Sequence, residues 1–309
     1  MGPNTTVSKI CLRCKNAQTI QNRQYQNTTP PRPLPPTNLK PTSFKLKKSL
    51  GQNLLTDDQV IKQSLQAAKL SPQDLVIEIG PGTGALTDQI IEIGSKFIAI
   101  ELDQRLFQHL QIRYQGLNNV TILQGDASRI DIASLIEGHS HYKVLGNLPY
   151  YLGSRIIRRF LESDTKPDLL VTMVQREVAL NMCAKPGKLN LLGIGVQFFG
   201  QPEIITLVPP TAFYPKPKVT SALVRINVNK TPFLPKKDEK GFFSLVRSGF
   251  QSPRKQLGGV LSKVLGIPRE SLGLLFHQAS IPMSNRAQHL SLTDWGNLYA
   301  VIKDYKCQP

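Results

Sequence analysis

Acid is what this chain lacks most. Its 21 Asp and Glu face 38 Lys and Arg, a formal net charge of +17 at pH 7. That balance excludes an acidic solvating chain and points to a polyanionic partner. The deficit is uneven: residues 1–56 hold nine basic side chains and no acid, 57–232 hold eighteen against sixteen, and 233–309 hold eleven against five. Any single lysine reads as ordinary solvated surface, but this asymmetry fits a nearly neutral centre doing chemistry between flanks that grip a nucleic-acid backbone. Cysteine is also scarce, with four in 309 residues. Cys11 and Cys14 form a Cys-x-x-Cys without a second pair or a spaced His pair, so no zinc site is expected. Nothing demands disulfides, which makes a reducing cytoplasm the expected location. No apolar run reaches the ~20 residues of a membrane span, so no membrane partner is expected either. Hydrophobic residues make up 40% of the chain, enough for a full core and one small extra domain.

Residues 1–44 are rich in Asn, Gln, Thr and Pro, and Pro30-Pro31-Arg32-Pro33-Leu34-Pro35-Pro36 excludes a helix or inner strand. They read as a basic, largely disordered tail. A transit peptide would share the lack of acids, but no Arg-rich amphipathic helix is evident and an RNA-binding arm is the simpler reading.

The chemistry-bearing words follow. Asp74-Leu75-Val76-Ile77 leads into Glu78-Ile79-Gly80-Pro81-Gly82-Thr83-Gly84 and then a helix-like Ala85–Ile91. Strand, glycine loop, helix is the pattern of a loop that lets a ligand approach the backbone. Its Gly-x-Gly-x-Gly spacing is one residue shorter than the dinucleotide form, and Glu78 ahead of it suits a cationic or amino-bearing ligand better than a pyrophosphate. Phe97-Ile98-Ala99-Ile100 ends in Glu101, placed to take two ribose hydroxyls. Val120–Leu123 leads to Asp126, able to accept from an adenine amino group. A further strand, Tyr142–Gly146, precedes Asn147-Leu148-Pro149-Tyr150. The Asn147 amide oxygen and the Leu148 carbonyl can accept both protons of an exocyclic NH2, and the Tyr150 ring offers a stacking face. A plain turn after a strand would use the same residue types. Four strand-end sites in this order describe an open α/β sheet binding an adenosine-containing cofactor at its carboxyl edge.

From about Lys45 to about Ile302 the chain resembles the bacterial ribosomal RNA small-subunit adenine dimethyltransferases. The resemblance rests on Lys48–Leu55, Glu78–Thr87, Ile100–Asp103, Gly125–Ala127, Asn147–Tyr150 and Val208–Ser221. It implies a Rossmann-like class I methyltransferase sheet over residues 45–231 and a small helical docking domain over 241–309. It implies S-adenosylmethionine touched by Asn53, Leu55, Gly80, Glu101, Asp126 and Asn147. It implies dimethylation of two adjacent adenines near the 3′ end of small-subunit RNA, with the immature small ribosomal subunit as partner, and the guess for oligomeric state is a monomer. Leu54 stands where Phe is common in the family, and Gln256 where Thr is more usual; neither touches the chemistry. Phe213, between Pro209-Pro210 and Pro215, is expected to present an exposed ring that sandwiches a flipped adenine with Tyr150, against the alternative that it is buried beneath its loop.

Elsewhere Gln59–Leu70 has helical spacing, with the Gln52 and Asn53 amides placed to close over the cofactor. Ile156–Leu161 reads as a helix with a basic face, Asp168–Val174 as a strand, and the runs near Phe198 and at Val219–Val228 as a closing antiparallel pair. Residues 232–241 read as a linker, followed by short helices with Arg254-Lys255 on their rim. Three rivals remain open on sequence: a large-subunit RNA methyltransferase of the antibiotic-resistance type, a non-catalytic assembly factor, and a nicotinamide dehydrogenase, for which Asn147–Tyr150 would have no job.

Overall fold

The computed structural model describes residues 52–307; the tail, the Cys11–Cys14 pair and the Lys48–Gly51 part of the opening motif lie outside the described residues. The described chain enters through a two-residue strand, β1 (Leu54–Leu55), and helix α1 (Asp58–Ala68). Asp57 caps α1 by accepting from the backbone N–H groups of Gln59 and Val60. An alternation of β2 (Leu75–Ile79), α2 (Ala85–Ile93), β3 (Lys96–Glu101), α3 (Gln104–Arg113), β4 (Val120–Gln124), α4 (Ile132–Leu135), β5 (Lys143–Asn147), α5 (Gly153–Leu161) and β6 (Leu169–Gln175) follows. After α6 (Arg176–Met182) and α7 (Leu191–Gln197) come β7 (Gly200–Val208), β8 (Phe213–Tyr214) and β9 (Ser221–Val228).

Seven strands form one sheet in the order β4-β3-β2-β5-β6-β9-β7. The first five are parallel, while β9 runs antiparallel to β6 and to β7. Every residue of β2 is buried, as a central parallel strand covered by helices on both faces requires. The α/β reading, the placement of the strands and the closing antiparallel pair therefore hold. Among the described residues no helix is long and apolar enough to cross a membrane.

Two boundaries move. Asn147 is the last residue of β5 rather than the first of a loop, because the strand ends one residue later than its apolar run. The expected linker at 232–241 is shorter, since α8 (Lys236–Gly249) begins inside it. Asp238 and Glu239 lie in the first turn of α8, where acids favour a helix, and Asp238 accepts from Lys303 Nζ at 2.8 Å and Tyr299 Oη at 3.2 Å. α8 packs with α9 (Leu257–Leu265), α10 (Arg269–Gln278) and α11 (Leu292–Lys306) into the all-helical part. Its core is continuous with that of the sheet: one cluster runs from Ile77 and Val144 through Phe198 to Phe242 and Trp295. Phe198 is the joint, with its ring centroid 4.8 to 5.4 Å from those of Phe199, Phe233, Phe242 and Phe243.

Candidate active site

Strand order reverses between β2 and β5, so the crevice beyond their carboxyl ends is where this kind of sheet takes a ligand. The backbones converge there. Gly146 lies opposite Ile79 so closely that a Cβ would collide with the Ile79 carbonyl, and a Cβ on Gly80 would sit 3.2 Å from the Asn147 carbonyl. Gly80, Gly82 and Gly84 all have left-handed backbone, with φ of 68°, 62° and 95°. The Gly-x-Gly-x-Gly spacing thus marks three positions that L side chains rarely tolerate.

The crevice is a cavity of roughly 1000 Å3, mouth included. It brings together Asn53, Leu55, Gly80, Glu101, Asp126, Asn147, Leu148 and Tyr150, which are eight of the nine residues expected on sequence. Glu101 is 5% exposed and takes two backbone bonds, from Gly82 N at 3.2 Å to one oxygen and from Asp103 N at 2.8 Å to the other. Burial pushes its carboxyl up to about 7, with those two N–H groups opposing the rise. Asp126 accepts from Ser128 N at 2.8 Å, which fixes its loop and leaves it half-buried at the cavity wall. Asn147 donates its side-chain Nδ2 to the Asn53 carbonyl at 2.6 Å. That bond ties the amide nitrogen down and leaves Oδ1 as an acceptor. Tyr150 bonds through its hydroxyl to Ser221 Oγ at 2.6 Å, anchoring the ring at its far end.

The ninth residue behaves otherwise. Phe213 is 2% exposed, pairs with Leu55 across β1 and β8, and packs among Val208, Ala212 and Leu223. The expectation of an exposed ring is corrected: the two-strand pairing turns Phe213 inward and leaves its neighbour Tyr214 as the exposed aromatic. Glu78 is corrected too. It lines the cavity but is 2% exposed and accepts from Thr87 Oγ1 at 2.7 Å, and burial pushes its carboxyl up to about 8, which works against an exposed counter-charge. Gln52 also lines the cavity, with its Nε2 donating to Asp103 Oδ2 at 3.1 Å. Arg105 holds the Asp103 carboxyl far below the usual carboxylate range.

One supporting group has no local sequence signal. Tyr114 Oη donates to Asp88 Oδ1 at 2.7 Å, and Arg113 reaches the same carboxylate with Nε at 3.2 Å and a terminal nitrogen at 2.7 Å. The Tyr114 hydroxyl fills the space a Cβ on Gly84 would need. This trio clamps the first turn of α2, and hence the end of the glycine loop, to the end of α3. Arg113 and Tyr114 lie 25 and 26 residues past Asp88 in the chain, beyond any helical or strand period.

A family model described as ribosomal RNA adenine dimethylase matches residues 43–304. The chain belongs to that family. Proteins named ribosomal RNA small subunit methyltransferase A are similar to this dimethylase over most of its length. One from Dehalococcoides mccartyi is 38% identical over 265 residues, covering 86% of this chain and 91% of its own. One from Clostridium botulinum is 38% identical over 263 residues, covering 84% and 95%. Among solved structures, a dimethyladenosine transferase from Plasmodium falciparum superposes with a TM-score of 0.71 at 25% identity over 82% of this chain and 98% of its own. The 23S rRNA methyltransferase ErmE gives a TM-score of 0.67 at 23% identity, over 81% and 100%, a likeness of fold.

The dimethylase is thus an S-adenosylmethionine-dependent enzyme acting on adenine in ribosomal RNA, and its cavity fits that cofactor. Side chains at Gly80 and Gly82 would intrude on the loop, a Cβ on Gly82 lying 2.7 Å from Leu54 Cδ2, and the acceptors suit a nucleoside rather than a phosphate. Asn53, Leu55, Gly80, Glu101, Asp126 and Asn147 line the cavity and would hold it. When bound, the cofactor supplies an electrophilic methyl group on a sulfonium. The nicotinamide-enzyme rival falls with the family match.

Proposed function

We propose that the protein dimethylates the N6 amino groups of two adjacent adenines in the 3′-terminal hairpin of small-subunit ribosomal RNA. It acts as a monomer on immature small subunits, in the cytoplasm where they are assembled. The observation that carries the chemistry is the 2.6 Å bond from Asn147 Nδ2 to the Asn53 carbonyl. With the amide nitrogen so held, Asn147 Oδ1 and the Leu148 carbonyl accept the two N6 protons, which draws the nitrogen lone pair out of conjugation and aims it along the attack line. Tyr150 stacks the base. Phe213 contributes from behind, packing Leu55 and the cavity wall. Catalysis is then mainly positioning: each transfer forms N–CH3 as S–CH3 breaks, releasing S-adenosylhomocysteine and one N6 proton, and the second uses a fresh cofactor with the one remaining N6 proton held by one of the two acceptors.

Substrate choice is supported by the names of the 38%-identical relatives, all small-subunit methyltransferases, against 23% identity to the large-subunit enzyme. Residues 45–231 carry the reaction, and 241–309 dock on the subunit through rim cations such as Arg254 and Lys255. The test uses purified protein, labelled S-adenosylmethionine and unmethylated small subunits. Asn147→Ala keeps the fold but loses about a hundredfold or more in turnover at saturating cofactor. Near-normal dimethylation by that variant sinks the assignment, and label appearing only in large-subunit RNA sinks the substrate.

A further inference from the structure

Helix α5 has two working faces. Leu152, just ahead of it, and Ile156 line the active-site cavity. Ser154, Arg155, Arg158 and Arg159 line a second, open groove together with Ser128 and the Leu191–Leu192 start of α7. The same two chain segments bound both depressions: Ser128 lies two residues past Asp126 and Ser154 four past Tyr150.

We propose that this groove holds the ribose-phosphate backbone of the RNA strand leading away from the target adenine. The proposal rests on the rRNA-methylation reading: an adenine placed against Tyr150 stays part of a polynucleotide, so a polyanion must leave the cavity mouth, and this is the cationic surface beside it. Arg155, Arg158 and Arg159 are all exposed. Arg158 is shared with Glu162, at 2.5 and 2.8 Å, and Arg159 gives one terminal nitrogen to the Ile130 carbonyl at 3.0 Å and lies near Asp131. Arg155 has no ion pair among the described residues, and the planar guanidinium presents several donors, so each arginine retains donors for a phosphate. A second observation points the same way. Ser128, which lines the groove, is 7% exposed and its buried Oγ has no hydrogen-bond partner among the described protein groups, leaving it a donor and acceptor for whatever occupies the groove. Tyr151, 57% exposed and next to Tyr150, offers an aromatic face for the neighbouring base.

The experiment measures affinity for small-subunit RNA between about 50 and 200 mM salt, with cofactor affinity measured alongside. Arg155→Ala and Arg159→Ala are each expected to weaken RNA binding several-fold and to flatten the salt slope by about one, leaving cofactor affinity unchanged. Glu162→Gln, which frees Arg158, is expected to tighten binding. Ser128→Ala is expected to weaken RNA binding without lowering the melting temperature, an outcome that a merely structural hydroxyl would not give. Salt slopes equal to wild type in both arginine variants overturn the proposal while leaving the methylation reading intact. Should the wild-type enzyme methylate only large-subunit RNA, the substrate reading fails instead, and the same slopes measured on that RNA decide the groove.

Discussion

Replacing Glu101 with Gln separates what this residue does for binding from what it costs the fold. The carboxyl rises from its ordinary 4.5 to about 7 because it is buried. At about 1.4 kcal/mol per pH unit, that rise is worth about 3 kcal/mol. The sign follows from proton counting. Between pH 4.5 and 7 the folded protein holds more protons at this site than the unfolded chain. Stability from this group is therefore full below pH 4.5 and is lost as pH rises through about 7. Gln does not titrate, so the stability of Glu101→Gln relative to wild type should climb by about 3 kcal/mol between pH 4.5 and pH 8.5. A pH-independent offset opposes it. The Gln amide can accept from only one of the Gly82 and Asp103 N–H groups, and orphaning the other costs about 1 to 3 kcal/mol. The climb, not the absolute difference, is the test. Urea unfolding followed by the fluorescence of Trp295, the single tryptophan and a fully buried one, measures it. Cofactor affinity at pH 8.5 moves the other way, falling about tenfold or more as charge-assisted bonds become neutral ones. Parallel pH profiles of stability, or an unchanged dissociation constant, would refute the reasoning.

Gly84→Ala should destabilise the protein by at least about 1 to 2 kcal/mol and weaken cofactor binding, because φ is 95° and the new methyl meets the Tyr114 hydroxyl; calorimetry with and without cofactor checks both. Tyr150→Phe should keep most of the activity, losing only the bond to Ser221, whereas Tyr150→Ala removes the stacking face and should lower RNA-dependent turnover by roughly tenfold or more, as steady-state rates will show. Phe198→Ala should cost about 3 to 5 kcal/mol while leaving the per-molecule rate of the surviving folded enzyme intact, a split read from denaturation and active-site titration.

The site was largely legible because its parts sit at the ends of apolar strands, where a glycine triplet, Glu101, Asp126 and Asn147 stand out against their surroundings. What stayed hidden depends on distance or on averaging over composition. β1 and β8 pair Leu55 with Phe213, a contact between two-residue strands too short to carry a period, so the inward turn of Phe213 had no local signature. The start of α8 reads as Lys-Lys-Asp-Glu-Lys-Gly, polar like a linker, and its helix is fixed by Lys303 and Tyr299 from the far end of the chain. Glu78 looked like a counter-charge because sequence shows its position but not its burial; Thr87, nine residues on, is what makes the buried acid tolerable.

The phenylalanine joint around Phe198 also has a genetic consequence. Because sheet and helical part share one core there, damage to either spreads to the whole. Substitutions buried in α8 or α11, remote from the cavity, will therefore reach the cell as a shortage of enzyme rather than as altered chemistry. A screen for lost methylation would recover them beside active-site variants, and raising expression or lowering growth temperature would rescue the first class alone.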